Sequence, residues 1–472
     1  MFNPENQYRC TIIRGKSQSD MEDLLPLYAN TVHILCPCEE NTFKDSARKI
    51  LSKALFRIGT YSALSDSNKK TVDNHLTEIA GTLLGLYYPE DGPMGTIIYE
   101  SDSCKCLIDN NDYPLFFKNL CLNFQFPNGA KKVQHIKADI QKGLNLKPFC
   151  FIVSLLYHAQ QQKEKLLLTK QEIGFYVLNC LDTLKGLATP QAVYERIIQD
   201  RNNGIEREKL SGSRDWQHIK EQFNLLELAN IIETDASHLW LNKNESAAIQ
   251  IFLKQSLNIA FDCYKYQLNT SNDSKKYLNA WKKHFGKFNK ELLNTPTSFD
   301  TTSVTVLDRE KQNDLQNSPK STANLGDEGE TLVFKYERDR VRNYKGRLAN
   351  KVLLLGKTKG LGYDISSIEA DENPTKPEFA RYIEVKSTKR VTPPKFDQQW
   401  SDTLNLTAKE WVAAEQYQEY YNIYRVYFTK TKTVIIRIKN PFNLAKQNRI
   451  EVYPTTFRMD FGADVIEVKY DK

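Results

Sequence analysis

The chain has 472 residues, enough for two or three domains, and its 65 basic against 58 acidic side chains leave a net charge of +7, too mild by itself to mark a nucleic-acid binder. A hydrophobic content of 40% with no apolar run of about 18 residues excludes a membrane-spanning helix, and Met1-Phe2-Asn3-Pro4-Glu5-Asn6 lacks the basic-then-apolar order of a secretory leader, so a cytoplasmic protein is expected. All nine cysteines precede residue 264, which in such a chain points to free thiols rather than a disulfide framework.

Residues 1–145 read as a first region. Ser46 to Ile58 and Thr71 to Leu84 carry helical apolar spacing, the second with Val72, Leu76, Ile79, Ala80 and Leu83 on one side. Thr96-Ile97-Ile98-Tyr99 and Cys106-Leu107-Ile108 read as a hairpin across polar Glu100–Lys105. Cys36-Pro37-Cys38 and Cys104-Lys105-Cys106 offer four sulfurs, but structural zinc sites prefer two or more residues between paired ligands, so thiols are the expectation.

Residues 146–293 read as a second region. Pro148 to Leu156 is an apolar helix, and Thr169-Lys170-Gln171-Glu172 is a capping box opening the run Ile173 to Leu181. Trp216 to Leu228 is amphipathic, and Ile231-Ile232 with Leu239-Trp240-Leu241 flank a turn at Asp235-Ala236-Ser237. Helices followed by a hairpin, in both regions, suggest winged-helix-like units, which often place a helix in the DNA major groove. Three stretches are similar to the N-terminal recognition region of modular, type IIS-like restriction endonucleases: Phe124-Gln125-Phe126-Pro127-Asn128-Gly129, Leu146-Lys147-Pro148-Phe149 and Leu168 to Glu172. Phe124, Phe126 and Phe149 are expected in the core.

Residues 294–324 are rich in Thr, Ser, Asn, Asp and Lys and read as a linker. The domain expected from 325 to 472 opens with Gly329-Glu330-Thr331-Leu332-Val333 at a helix start, where a carboxylate also suits the helix dipole. Lys335, Arg338, Arg340, Arg342, Lys345, Arg347 and Lys351 then outnumber Glu337 and Asp339, a positive stripe suited to a phosphate backbone. Leu353-Leu354-Leu355 reads as a buried strand. Gly356-Lys357-Thr358 is no Walker A loop, since that loop needs a glycine where Lys351 stands, and no nucleotide-driven motor is visible. Thr407-Ala408-Lys409-Glu410 is a capping box for a helix carrying Trp411, Ala414 and Tyr417, read as structural. Ile423–Phe428 and Thr433–Ile438 read as strands joined by a basic turn.

Between these lie Gly362-Tyr363-Asp364-Ile365 and Tyr382-Ile383-Glu384-Val385-Lys386-Ser387. On a strand, Glu384 and Lys386 project together while Ile383 and Val385 enter a core. A second acid, Asp364, stands on a glycine-flanked turn. Two carboxylates and an ammonium on one sheet edge can hold a hard divalent cation with a base beside it. No histidine follows His284, which excludes histidine-dependent nuclease sites from this part.

The spacing Asp-x(19)-Glu-x-Lys matches the PD-(D/E)xK nuclease pattern, with Tyr363 in place of the leading proline. Residues 326–430, about a quarter of the chain, resemble the NO VEIN C-terminal-like family of nucleases. The matching blocks are Gly329-Glu330-x-x-Val333, Gly360–Ile365, Ile383–Thr388, Leu406-Thr407-x-x-Glu410-Trp411-x-x-Ala414 and Tyr421–Val426. The resemblance implies a restriction-endonuclease-like α/β domain with a mixed sheet, joined to a mainly helical α+β N-terminal part. It implies Mg²⁺ held by Asp364, Glu384 and the Val385 carbonyl, with Glu330 near the metal. Lys386 is expected to orient the attacking water, its pKa falling beside the metal. The function implied is an ATP-independent, sequence-specific endonuclease of restriction type acting on double-stranded DNA. Two strands must be cut and one site is visible, so a homodimer on DNA is expected. Alternatives are a repair or junction-resolving nuclease, or a DNA-binding protein whose nuclease fold has decayed.

Overall fold

A computed structural model describes residues 17–93, 95–162, 167–205, 213–256, 258–299, 303–307, 314–316, 325–356, 358, 360–397, 400–453 and 458–466. Met1–Asn6 and Lys357 lie outside them. The contacts divide the chain into two units. One comprises Thr31–Asp109 and Pro114–Thr297, preceded by residues up to Gln18; the other comprises Ser19–Asn30, Asn110–Tyr113 and Ser298 onward. Among the described residues no helix is long and apolar enough to cross a membrane.

The first unit is mostly helical and uses one arrangement twice. The two-residue strand Cys38–Glu39 leads into helix Glu40–Phe56, then a helix that is α over Asp66–Asn74 and π over His75–Leu83, then the hairpin Tyr87–Gly92/Gly95–Glu100. The short strand pairs with the second hairpin strand. Further on, Leu168–Thr169 precedes helices Pro190–Asn202 and Ser213–Leu228 and pairs with the second strand of the hairpin Ile232–Thr234/His238–Leu241. The second hairpin matches the sequence expectation. The first differs. Its partner strand is Tyr87–Gly92, and Asp102–Asn110 is a helix. Cys104 and Leu107, three apart, are both buried by that helix, a spacing that competes with the strand reading of Cys106–Ile108. Phe124, Phe126 and Phe149 are core residues as expected, packed ring to ring. The capping box at Thr169 and Glu172 is present in full, although its run turns π-helical over Gly174–Leu178 and breaks before Leu181.

The second unit is built on a mixed sheet. Among the described residues it has seven strands, ordered Asp314–Gln316, Ser303–Leu307, Thr433–Lys439, Tyr421–Phe428, Ala380–Lys389, Ile365–Ile368 and Leu353–Leu354. Ser303–Leu307 runs parallel to Thr433–Lys439, and Ala380–Lys389 runs parallel to Tyr421–Phe428; the other neighbours are antiparallel. The polar stretch 294–324 therefore contributes two strands of this sheet, Ser303–Leu307 and Asp314–Gln316, with Val304 and Val306 buried.

Each face of the sheet has its own core. Helix Leu325–Tyr344 lays Leu332, Val333, Tyr336 and Val341 over Ile365, Ile383, Val385, Tyr424 and Val426. Helix Ala408–Tyr417 covers the other face, with Ala413 and Ala414 among Tyr421, Ile423, Tyr427 and Ile436. A central strand with a parallel neighbour is covered on both faces. The Glu384 side of its strand is thus enclosed rather than solvated, with Glu384 only 4% exposed. Leu353 and Leu354 reverse the expectation of a buried strand. Among the described residues they form the sheet's last strand, and they stay 51% and 44% exposed.

A buried ionic network ties the first helix to the sheet. Glu337 accepts from Ser367 Oγ at 2.6 Å, Tyr424 OH at 2.7 Å and Arg340 Nη2 at 2.7 Å. Arg381 and Arg437 bind Glu372, and Arg381 also binds Glu369. Arg340 therefore leaves the positive stripe and turns inward, while Lys335, Arg338, Arg342, Lys345, Arg347 and Lys351 stay exposed. Arg342 and Lys351 are paired with Asp339 and Glu378.

Candidate active site

Asp364 closes the turn that begins at Gly360 and is held on both sides. Its amide donates to Ile383 O at 2.9 Å, and its carbonyl accepts from Leu355 N at 2.6 Å. Its Oδ2 accepts from the amide of Val385 at 2.8 Å. Val385 N–H therefore meets a side chain where a ladder bond would otherwise stand, just past the end of strand Ile365–Ile368. The aspartate side chain is pinned at the sheet position that separates Glu384 from Lys386.

The strand then delivers the other two groups. Lys386 Nζ lies 2.7 Å from Glu384 Oε1 and 2.8 Å from Glu410 Oε2. Ile383 and Val385 face the opposite core, as the alternation predicts. Asp364, Glu384 and Lys386 thus converge. The Glu384 side chain keeps 5% of its exposure, Glu410 15% and Lys386 22%, so the group opens to solvent mainly at the ammonium.

Glu330 arrives from the helix on the other face. At Gly329 an added Cβ would overlap Ser387 Oγ, so the glycine lets this helix approach the Glu384 strand closely. The Glu330 carboxylate lies against Gly356, the residue after Leu355, whose amide holds Asp364. It stands beside the Asp364 turn.

Burial raises the Asp364 carboxyl above its ordinary range, against the pull of the Val385 amide and of Lys386. Glu384 is raised further, again first by burial; Asp364 and Glu410 add repulsion and Lys386 opposes it. Burial alone would lower Lys386, but Glu384 and Glu410 outweigh it and hold the ammonium above its usual value. The lysine is the countercharge of two carboxylates, which stabilise its protonated form.

Three acids around one ammonium leave an excess of negative charge that a divalent cation would relieve. Among the described residues no three His, Cys, Asp or Glu side chains are gathered as a metal cluster. Two carboxylates with backbone oxygen and water suit Mg²⁺, which keeps several waters. At the cysteine pairs, burial raises the thiols of Cys36, Cys38 and Cys104.

Glu410 is the member that sequence reasoning set aside. Its capping box is real: Oε2 accepts from Thr407 N at 3.0 Å, and its amide donates to Thr407 Oγ1 at 3.3 Å. The same oxygen also meets Lys386. A signal was present in its place within the matched Leu406–Ala414 block, but the capping role accounted for it fully.

Three comparisons with known proteins bear on this architecture. Residues 2–284 match the family described as the N-terminal part of restriction endonuclease BpuJI. Residues 329–438 match the C-terminal domain of protein NO VEIN. No curated protein matches the chain. Among solved structures, the chain is similar to the BpuJ1 endonuclease binding domain, determined in complex with pyrene- and phenanthrene-modified DNA. The identity is 36% and the TM-score 0.54, covering 61% of this chain and 100% of that one.

Proposed function

Since the chain belongs to the family of the N-terminal part of restriction endonuclease BpuJI, we propose that it is a Mg²⁺-dependent, ATP-independent restriction endonuclease that cuts double-stranded DNA in a sequence-specific way. The 36% identical relative is a binding domain in complex with DNA, which supports DNA recognition by residues 1–145 and 146–293 here. Each of these regions combines a short strand, helices and a hairpin, which supports reading it as a winged-helix-like unit with the hairpin as wing. The PD-(D/E)xK cleavage domain would be residues 325–472 together with the strands Ser303–Leu307 and Asp314–Gln316 that complete its sheet.

The observation that carries the reading is the convergence of Asp364, Glu384 and Lys386 at one point of the sheet. Asp364, Glu384 and the Val385 carbonyl would hold Mg²⁺, and Glu330 would approach it from the neighbouring helix. When bound, the metal neutralises charge at phosphorus and assists the leaving oxygen. Lys386 holds the attacking water against the scissile phosphate and supplies positive charge there. Each chain carries one such site, so cutting both strands calls for a homodimer on DNA.

The test is digestion of plasmid DNA without ATP, with Mg²⁺ or with a chelator, followed by sequencing of the ends. Cleavage at fixed positions should require Mg²⁺. Asp364→Ala and Lys386→Ala should lose at least about 100-fold in rate while still shifting DNA in a gel. Wild-type cleavage by Asp364→Ala would overturn the assignment.

A further inference from the structure

We infer that Glu410 is a positioning residue of this site, which keeps Lys386 in place once a divalent cation has drawn Glu384 away from it. The inference rests on the reading above, in which Glu384 is a metal ligand. In the free protein Lys386 has two carboxylate partners, Glu384 at 2.7 Å and Glu410 at 2.8 Å. A cation on Glu384 satisfies that carboxylate and repels the ammonium. Without a second anchor, a flexible four-carbon side chain would then swing toward solvent. Glu410 is that anchor.

Its own position is fixed by the backbone around it. Gly362 lies against helix Ala408–Tyr417, and a Cβ at that glycine would stand 2.7 Å from Lys409 O and 2.8 Å from Ala413 Cβ. The Asp364 turn and the first turn of the helix are therefore in contact through Gly362. Tyr421 OH closes the same corner by donating to Gly362 O at 2.8 Å. The backbone amide of Thr407, which any residue there would supply, then orients the Glu410 carboxylate at 3.0 Å. A glutamate serving only as a cap gains nothing from enclosure, yet this one is 15% exposed with an ammonium on its oxygen. Glu410 Oε2 is already engaged by Lys386 Nζ at 2.8 Å and by the Thr407 amide at 3.0 Å, which suits it to holding Lys386.

Glutamine separates the two jobs. At this position of a capping box it still accepts from the N-cap amide but carries no charge. In Glu410→Gln, Lys386 pairs with Glu384 alone and competes with the cation. The full-length protein without DNA should then bind Mn²⁺ about tenfold more weakly by calorimetry. Its single-turnover cleavage at saturating Mg²⁺ should fall at least about tenfold, with DNA binding unchanged. Glu410→Asp, which keeps the charge, should recover part of the Mn²⁺ affinity.

Thr407→Ala controls for the cap, since it removes the other half of the box without touching Lys386. It should keep wild-type Mn²⁺ affinity and cleavage even where it melts earlier. If Thr407→Ala loses both as Glu410→Gln does, the glutamate is a structural cap and the inference is wrong. It is equally wrong if Glu410→Gln binds Mn²⁺ and cuts like wild type while Asp364→Ala is dead, and in that case the nuclease reading stands. If Asp364→Ala itself keeps Mn²⁺ binding and cleavage, the nuclease reading fails and the inference with it.

Discussion

Gly362→Ala puts the corner of the site under direct strain. Gly362 has φ of +75°, in the left-handed region, where a residue with a Cβ costs roughly 1–2 kcal/mol. The new methyl would also stand 2.7 Å from Lys409 O and 2.8 Å from Ala413 Cβ. Neither is the end of a flexible side chain, so the helix start must move, and overpacking of this kind costs about 1–3 kcal/mol. The two effects act on the same residue and sum to about 3 kcal/mol. For a unit of this size each kcal/mol lowers the melting temperature by about 2–4 °C, so a fall of about 6–12 °C is expected by calorimetry. Gly346→Ala is the control: it has open space around the added carbon, and it should stay within about 0.5 kcal/mol of wild type. Moving the helix start also moves Glu410, so Mn²⁺ affinity should fall together with stability. A Gly362→Ala protein that melts within about 2 °C of wild type would show that the helix yields freely, and the account of how this corner is fixed would be refuted.

Acid should weaken the second unit through its ionic network. Burial opposes ionisation of Glu372 and Glu337, but their arginines outweigh it, holding Glu372 down to about 2 and Glu337 below the ordinary carboxylate range. Depressed carboxyls stabilise the fold above their unfolded pKa of about 4.3, and the contribution is lost as pH falls toward about 2. Urea unfolding between pH 5 and pH 2 should therefore show a smaller loss of stability in Glu372→Gln than in wild type, and identical slopes would remove Glu372 from the account. Glu22, fully buried in the same unit, accepts from Val391 N at 2.6 Å, Thr392 N at 2.9 Å and Thr392 Oγ1 at 2.6 Å, beside Arg390. Glu22→Ala leaves these donors unpaired and should cost about 3 kcal/mol, with hydrogen exchange rising over residues 389–392; unchanged protection there would contradict it.

The alternation in Tyr382–Ser387 and the glycine-flanked Asp364 were legible as a site because strand periodicity and turn chemistry act over a few residues. The helix openings at Thr169 and Thr407 were legible for the same reason, since a cap is a bond between residues three apart. What escaped depends on distant neighbours. The Gly95–Glu100 strand pairs with Tyr87–Gly92 because the Cys104 side of the next segment is buried as a helix, and no local signal ranked those partners. Leu353 and Leu354 read as core, yet among the described residues they are last in the strand order and exposed.

The sequence by itself determined the chemical kinds present at the candidate site and the side of the strand each faces, because a pleated backbone alternates whatever surrounds it. Only the tertiary structure decided their company. Gly362 lets a helix more than forty positions along the chain touch the Asp364 turn, and that approach sets Glu410 on Lys386. Enclosure on both sheet faces then turned an ordinary charged strand into a buried cluster, in which the amine keeps its proton and Asp364 and Glu384 resist losing theirs. Charge–charge energies depend on distance and surrounding solvent, and neither is written in residue order.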